Sequence, residues 1–411
     1  VAILGWAAGM LVGTFGSLFE PGIQAPFTPF EQPSAAPNAT VYFFNMIAGW
    51  QPLIFIAIIW GVNYYILRKG TESIEAAVRF IVPIMWLFMI GLVIRGVTLP
   101  GGFDGLMYLF TPDWEGIRQP EVWRGAFAQM FFSLSLGMGI MTAYASYLPR
   151  DADQVNNSML VSFLNCSFEF IAGMAIFSLL FVFALNPAGT TLSLSFFVIP
   201  QGINELSALP WVVRAFGFLF FLLLLLAGLT SSVSLTEAFV SALLDKLGIS
   251  RSRALRWVVG IGVLGSALFS LPQIIDRGLT GNGTLGLTLL DLTDHWVFNY
   301  SLLLVGLGEV LLIGWVLGAA TVRKALNDHS HLSVGRWFDG LIKYVIPLVL
   351  MMVIVTSLIG EWKPYDREDQ LLYGSNYTMP GFAFLPYLVP VLWISGTVLF
   401  ALVMANYKRD D

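Results

Sequence analysis

Apolar residues in this chain gather into runs at about 1–19, 52–67, 80–98, 126–148, 159–185, 211–244, 254–271, 296–320, 341–361 and 384–407. Most of these runs approach the roughly 20 residues that a helix needs to cross a bilayer. The run at 211–244 exceeds one perpendicular crossing and predicts a helix that tilts or projects into the cytoplasm. A membrane β-barrel would instead show short segments of alternating polarity, and none is present. The pattern therefore predicts an all-α polytopic membrane protein with about ten helices, the lipid bilayer being its first partner.

Three of these runs carry polar residues at depths where they are costly without a partner. In "FFSLSLGMGIMTAYASY", residues 131–147, Ser133 and Ser135 are followed by Gly137 and Gly139. Hydroxyls at i and i+2 do not share a helical face, so the cluster suits an unwound segment whose freed carbonyls take a cation or the charged end of a ligand. Close packing of small residues between helices is the competing reading. In "AGLTSSVSLTEAF", Thr230, Ser231 and Ser234 share one face and offer hard oxygen ligands. Hydroxyls bonding back to carbonyls one turn earlier explain that cluster as well, and alone it favours that account. In "FLNCSFEFIAG", Asn165 and Glu169 stand one helical turn apart. A carboxylate at mid-membrane costs about 2.5–3.5 kcal/mol, so it calls for a proton or a nearby cation unless it bonds across helices. Glu237 and Glu309 are weaker candidates of the same kind.

Composition agrees with this picture: 57% of the 411 residues are hydrophobic and 11% are charged. A net charge of −5 without a basic patch speaks against nucleic-acid binding. The single cysteine, Cys166, excludes an internal disulfide and a cysteine-rich metal site. Fourteen of the 21 Lys and Arg residues fall in one alternating set of loops and ends, including Arg68, Lys69, Arg150, Arg251 and the terminal "YKRDD". That set, and the C-terminus with it, is expected in the cytoplasm. The opposite loops are long and rich in Pro, Gly and Asn, which predicts short helices or lids. Two glycosylation-like tripeptides, at 38–40 and 376–378, carry little weight. The chain opens at Val1 within an apolar run, without an initiator methionine or signal-peptide layout, which reads as a start inside a helix. No HExxH or GxSxG motif suggests an intramembrane enzyme, and the polar residues cluster at one depth rather than lining a continuous pore.

The stretches "AQMFFSLSLGMGIMTAYASY", "FLNCSFE" and "LLAGLTSSVSLTEA", in this order, resemble the neurotransmitter:sodium symporter family, and the likeness continues through "GLGEVLLIGWVLG" to the last run. The resemblance implies the fold of the bacterial leucine transporter, with twelve helices of which the first ten form an inverted repeat. It places Val1 in the family's third helix, so the first two helices are expected upstream, with much of both sodium sites and half of the substrate site. The chain is then a single transporter domain. Residues 1–125 are the remainder of the first repeat, 126–320 the second repeat, and 321–411 the last two helices with a cytoplasmic end.

What the resemblance implies at the residue level is specific. Ser133 and Asn165 match the first sodium site; Ala227, Thr230 and Ser231 match the second. Phe132, Ser133, Ser135, Met138, Ser231 and Leu235 match the substrate site, with Met138 softening a position that is often phenylalanine. Asp294 resembles the acidic half of an outer gate, and Asp245 and Tyr147 resemble parts of an inner one. Glu169 stands where chloride-dependent members have serine beside bound chloride, which implies a carboxylate in place of that anion and a proton carried back. The expected activity is sodium-coupled, chloride-independent uptake of a neutral, hydrophobic or aromatic amino acid, or of another amine or osmolyte on the same scaffold. No organic cofactor is expected. The implied setting is the bacterial inner membrane, and a second copy in a homodimer is a possible further partner.

Overall fold

The computed structural model describes residues 1–20, 22–23, 33–34, 37–182, 192, 194–205, 209–275, 285–362 and 385–406. Apart from one two-residue antiparallel pairing, Gly22 with Ser34 and Ile23 with Pro33, these residues are helical or in turns. The α-helices are α1 (Ala2–Gly13), α2 (Ala39–Ile47), α3 (Gln51–Leu67), α4 (Thr71–Thr98), α5 (Gly102–Phe110), α6 (Pro120–Ser133), α7 (Ile140–Ser146), α8 (Gln154–Val182) and α9 (Ile199–Glu205). They continue as α10 (Pro210–Leu247), α11 (Arg251–Leu268), α12 (Leu271–Ile275), α13 (Leu285–Asp294), α14 (Leu302–Leu311), α15 (Ala319–Asp328), α16 (Trp337–Gly340), α17 (Ile346–Trp362) and α18 (Leu385–Asn406). Wider π-helical turns fall at Leu194–Val198, His295–Ser301, Leu312–Val316 and Leu341–Val345.

Six described helical stretches are long and apolar enough to cross a membrane: Glu72–Thr98, Gln154–Val182, Pro210–Leu247, Leu292–Val316, Trp337–Ile359 and Leu388–Asn406. The α2–α3 pair makes a seventh if it is read as one span, bent by 78°. The bend has a local cause. Pro52 sits in the first turn of α3, where its missing N–H costs nothing but its ring bars a helix continuing from α2. The run at 211–244 forms one unbroken helix of 38 residues, about 57 Å at 1.5 Å per residue, longer than a bilayer core is thick. The run at 126–148 is two helices, α6 and α7, with a break between them. A short helix precedes α3: α2 is capped by Asn38, whose side chain accepts from Val41 N at 3.0 Å.

The chain divides into two compact units. The first joins Val1–Pro112 with Phe168–Thr288. Here α1 packs against α3 and α10 with Trp6 and Met10 fully buried. Polar ties join α3 to its neighbours: Asn63 Nδ2 donates to Ser232 Oγ at 2.8 Å, and Trp60 Nε1 donates to Ser266 Oγ at 3.1 Å. The strongest tie is ionic. Glu237 of α10 is 0% exposed, and Arg251 at the start of α11 forks onto both its oxygens, one at 2.9 Å. The same guanidinium donates from Nε to the Leu67 carbonyl at the end of α3, at 3.0 Å. One cation thus satisfies a buried carboxylate and a helix C-terminus together.

The second unit joins Asp113–Ser167 with Leu289–Asp411. Its core is Phe131 of α6 with Leu303 and Leu307 of α14 and Leu350, Val353 and Ile354 of α17. The turn after α15 is closed by Asn327, which exchanges two hydrogen bonds with Val334 at 3.0 and 2.8 Å. Asp153 caps α8 through Asn156 N at 3.0 Å and also accepts from His331 N at 2.9 Å. These two backbone donors hold its carboxyl below the usual carboxylate range.

Removing Glu237 takes from a partly buried guanidinium the carboxylate that neutralises it, a change that typically costs about 3–5 kcal/mol. Glu237→Ala is therefore expected to lower the thermal midpoint of the detergent-purified protein markedly, whereas the exposed Glu72→Ala leaves it within error. Equal melting curves for the two variants would remove the stabilising role of the pair.

Candidate functional site

The break in the 126–148 run is built by a defined helix cap. Leu134 N donates to Met130 O at 3.1 Å, Ser135 N to Phe132 O at 3.1 Å, and Leu136 N to Phe131 O at 2.8 Å. Ser135 adopts φ +56, the left-handed conformation. These are the reversed bonds and the left-handed residue of a Schellman cap, with serine where glycine is usual. Such a cap is usually accompanied by an apolar contact, and Leu136 packs against the core cluster that contains Phe131. Gly137 and Gly139, with φ +70 and +71, then turn the chain into α7.

The cost of this route falls on the carbonyls. Among the described residues, those of residues 134–138 accept no hydrogen bond from the protein. They follow the C-terminal end of α6, where the helix dipole is negative, so a cation is the favoured guest. Beside them Asn165 Nδ2 donates to Ser133 Oγ at 2.5 Å, bringing together the two residues expected at the first sodium site. Ser133, Ser135, Met138 and Asn165 are all half-buried. Glu169 is half-buried one turn further along α8.

The α10 hydroxyls behave differently. Thr230 Oγ1 donates to Ala227 O at 2.7 Å, Ser231 Oγ to the same carbonyl at 3.4 Å, and Ser234 Oγ to Thr230 O at 3.0 Å. These are the back-bonds of an intact helix. They also gather three oxygens, those of Ala227, Thr230 and Ser231, around one point, the set expected for the second sodium site. The expected substrate contacts divide between the units: Phe132, Ser133, Ser135 and Met138 lie in the second, Ser231 and Leu235 in the first. Asp294, Asp245 and Tyr147, the expected gate residues, are all exposed, at the ends of α13, α10 and α7. The tripeptide at 376–378 and the terminal "YKRDD" lie outside the described residues.

Sequence reasoning passed over two features. Phe131, beside the expected lid Phe132, is the ring that anchors the break: it is 5% exposed, against 53% for Phe132. Only its position facing the α14 core separates the two, and nothing local in the sequence reports that. The partner of Glu237 was also missed, although a carboxylate within an apolar helix was the available signal.

A broken apolar helix, its carbonyls freed beside hydroxyl and amide side chains, is an arrangement that ion-coupled secondary transporters use. The chain belongs to the sodium:neurotransmitter symporter family, whose profile matches residues 44–407. An uncharacterized sodium-dependent transporter of Methanocaldococcus jannaschii is 36% identical over 84% of this chain and 68% of its own length. A second, of Haemophilus influenzae, is 32% identical over 77% of this chain and 68% of its own. The sodium- and chloride-dependent creatine transporter 1 of Bos taurus is 26% identical over 80% of this chain, which spans about half (51%) of that protein. Among solved structures, MhsT in complex with L-phenylalanine matches with a TM-score of 0.71 and 28% identity, over 87% of this chain and 77% of that one. The leucine-transporter fold expected from the motifs is therefore present, and the protein is a multi-pass membrane transporter of a sodium-dependent family rather than an enzyme.

The left-handed serine yields a direct test of the cap. A non-glycine residue there costs about 1–2 kcal/mol, so Ser135→Gly is expected to raise thermal stability and Ser135→Val to lower it. If glycine were the less stable of the two, the cap geometry would be wrong.

Proposed function

We propose that the protein is a sodium-coupled symporter that brings a neutral amino acid, apolar or aromatic, into the cell by alternating access. In this reading it resides in the plasma membrane with its C-terminus in the cytoplasm. The observation that carries the proposal is the row of carbonyls at residues 134–138, unbonded among the described residues, beside the Ser133–Asn165 pair. Sodium is cargo here, and the residues suit it: hydroxyl, amide and carbonyl oxygens are the hard ligands that a small cation prefers. A 180° turn of the Asn165 amide would put Oδ1 where Nδ2 now meets Ser133, exchanging a donor for an ion ligand without moving the backbone. Ala227, Thr230 and Ser231 would hold a second ion, their hydroxyls already oriented by the Ala227 carbonyl.

Phe132, Ser133, Ser135 and Met138 would receive the substrate, the serines and freed backbone meeting its polar end and Met138 its side chain; Ser231 and Leu235 keep the role expected of them. These side chains carry no charge, so an acidic or basic substrate side chain would lack a partner. MhsT was solved with L-phenylalanine, which favours an aromatic or apolar amino acid. Creatine transporters among the relatives favour a second reading, a zwitterionic amine or osmolyte on the same scaffold. Ion and substrate would together favour the closed state because each binds it better than the open one. Glu169 would carry the negative charge that chloride supplies in chloride-dependent members, making uptake chloride-independent, and would return a proton. Residues 1–125 would complete the first repeat and 126–320 form the second.

Uptake by the full-length protein in membrane vesicles separates these readings. Labelled phenylalanine or leucine should accumulate with a Na⁺ gradient and not with K⁺, and creatine, betaine and taurine should fail to compete. Full-rate uptake without Na⁺ or Li⁺ would sink the coupling; competition by creatine would favour the second reading. Asn165→Ala should raise the half-saturating Na⁺ concentration about ten- to hundred-fold, the value of a charge-assisted contact. Glu169→Ser should make uptake depend on chloride, and a variant active at the original rate in chloride-free buffer counts against the substituted charge.

A further inference from the structure

The broken segment is bracketed by two close contacts with a single helix. At its start, Phe131 lies against Gly306 of α14. A Cβ added at Gly306 would overlap Phe131 Cε1 and stand 2.8 Å from Cζ. The ring cannot swing aside freely, because it is 5% exposed and enclosed by Leu303, Leu307, Leu350 and Val353. At the far end, a Cβ added at Gly137 would stand 2.8 Å from the Leu302 carbonyl oxygen, and φ +70 there already disfavours a side chain. Leu302 and Gly306 are one turn apart on α14 and share a face. Leu302 also begins α14 where the π-helical turn His295–Ser301 ends.

The segment is therefore an arch with both feet on one helical face: Phe131 seated in the hollow at Gly306, and Gly137 against the Leu302 carbonyl. Between the feet stand Ser133, Ser135 and the carbonyls of residues 134–136. The bond from Leu136 N to Phe131 O fixes the curvature of the arch, and the two contacts fix its height. We infer that Gly306 and Leu302 are positioning residues for cation binding: without touching the ion, they set the depth at which the arch presents its oxygens. This rests on the sodium-symport reading and adds to it a determinant on a helix to which that reading gives no role in binding. Ion sites tolerate little displacement, and an error of about 1 Å in a supporting contact can cost one to two orders of magnitude.

The test is the Na⁺ dependence of uptake and of equilibrium substrate binding, normalised to folded protein, in the full-length protein. Gly306→Ala, which pushes the Phe131 ring outward, is expected to raise the half-saturating Na⁺ concentration about ten-fold, with the maximal rate at saturating Na⁺ changed far less. Adding Phe131→Leu, which withdraws the ring edge, should return the Na⁺ value to near that of the wild type. Gly308→Ala, two residues on with nothing within 4 Å of an added Cβ, should leave it unchanged. A purely structural role for Gly306 would reduce the amount of folded protein without moving the Na⁺ value, and that result overturns the inference. Should Gly306→Ala yield no folded protein, Phe131→Leu alone serves, because it empties the hollow and lets the arch shift. An unchanged Na⁺ value in that variant overturns the inference equally. Wild-type uptake that ignores Na⁺ removes the symport reading itself and the inference with it. A Na⁺-dependent wild type with an insensitive Gly306→Ala removes only the inference.

Discussion

The structure of the candidate site depends on one constraint: backbone polar groups at membrane depth must find partners, because hydrocarbon offers none. An unbroken helix meets that demand internally. Between residues 133 and 139 the chain gives this up, and the Schellman cap recovers part of it by turning three N–H groups back onto Met130, Phe131 and Phe132. The N–H side is thereby served better than the C=O side. That asymmetry would favour a cation over an anion, because carbonyls unbonded among the described residues present negative partial charge.

The rest of the second unit can be understood as support for this opening. A broken helix has no stiffness of its own at the break, so its geometry must be imposed from outside. Phe131 and Leu136 are held in one apolar cluster with α14 and α17, while Ser133 meets Asn165 of α8. One side of the segment is thus anchored by dense packing and the other by a polar contact, the one that the proposed ion would replace. The two sides suit different tasks, since packed cores resist small shifts whereas a single hydrogen bond is worth only about 1 kcal/mol net.

Some of this was legible in the sequence, for local reasons. Serine and glycine in the middle of an apolar run contradict helix propensity, and the contradiction lies where the helix ends. The length of the 211–244 run gave the long helix α10 directly. Other features have no local signature. The bend between α2 and α3 depends on a proline at the edge of a run, and the run itself hides where the helix begins. Phe131 and Phe132 are the same residue type side by side, and only the position of α14 assigns one to the core. Gly306 reads as an ordinary small residue in a membrane helix until the ring it receives is in place.

The carboxylates show most clearly how the same cost is met in different ways. Glu237 is wholly buried and answered by a fixed partner, Arg251, which also satisfies the end of α3. A built-in cation of that kind locks the elements it joins, because separating them strands both charges. Glu169 lies on α8, which carries no Lys or Arg from Gln154 to Val182. No cation of its own helix can therefore compensate it as Arg251 compensates Glu237. In the proposed cycle a mobile cation would serve as its counter-charge, and coupling requires that such an ion bind one of two states better than the other. The fixed pair belongs to the stability of the scaffold, and Glu169 has its place in the proposed transport cycle.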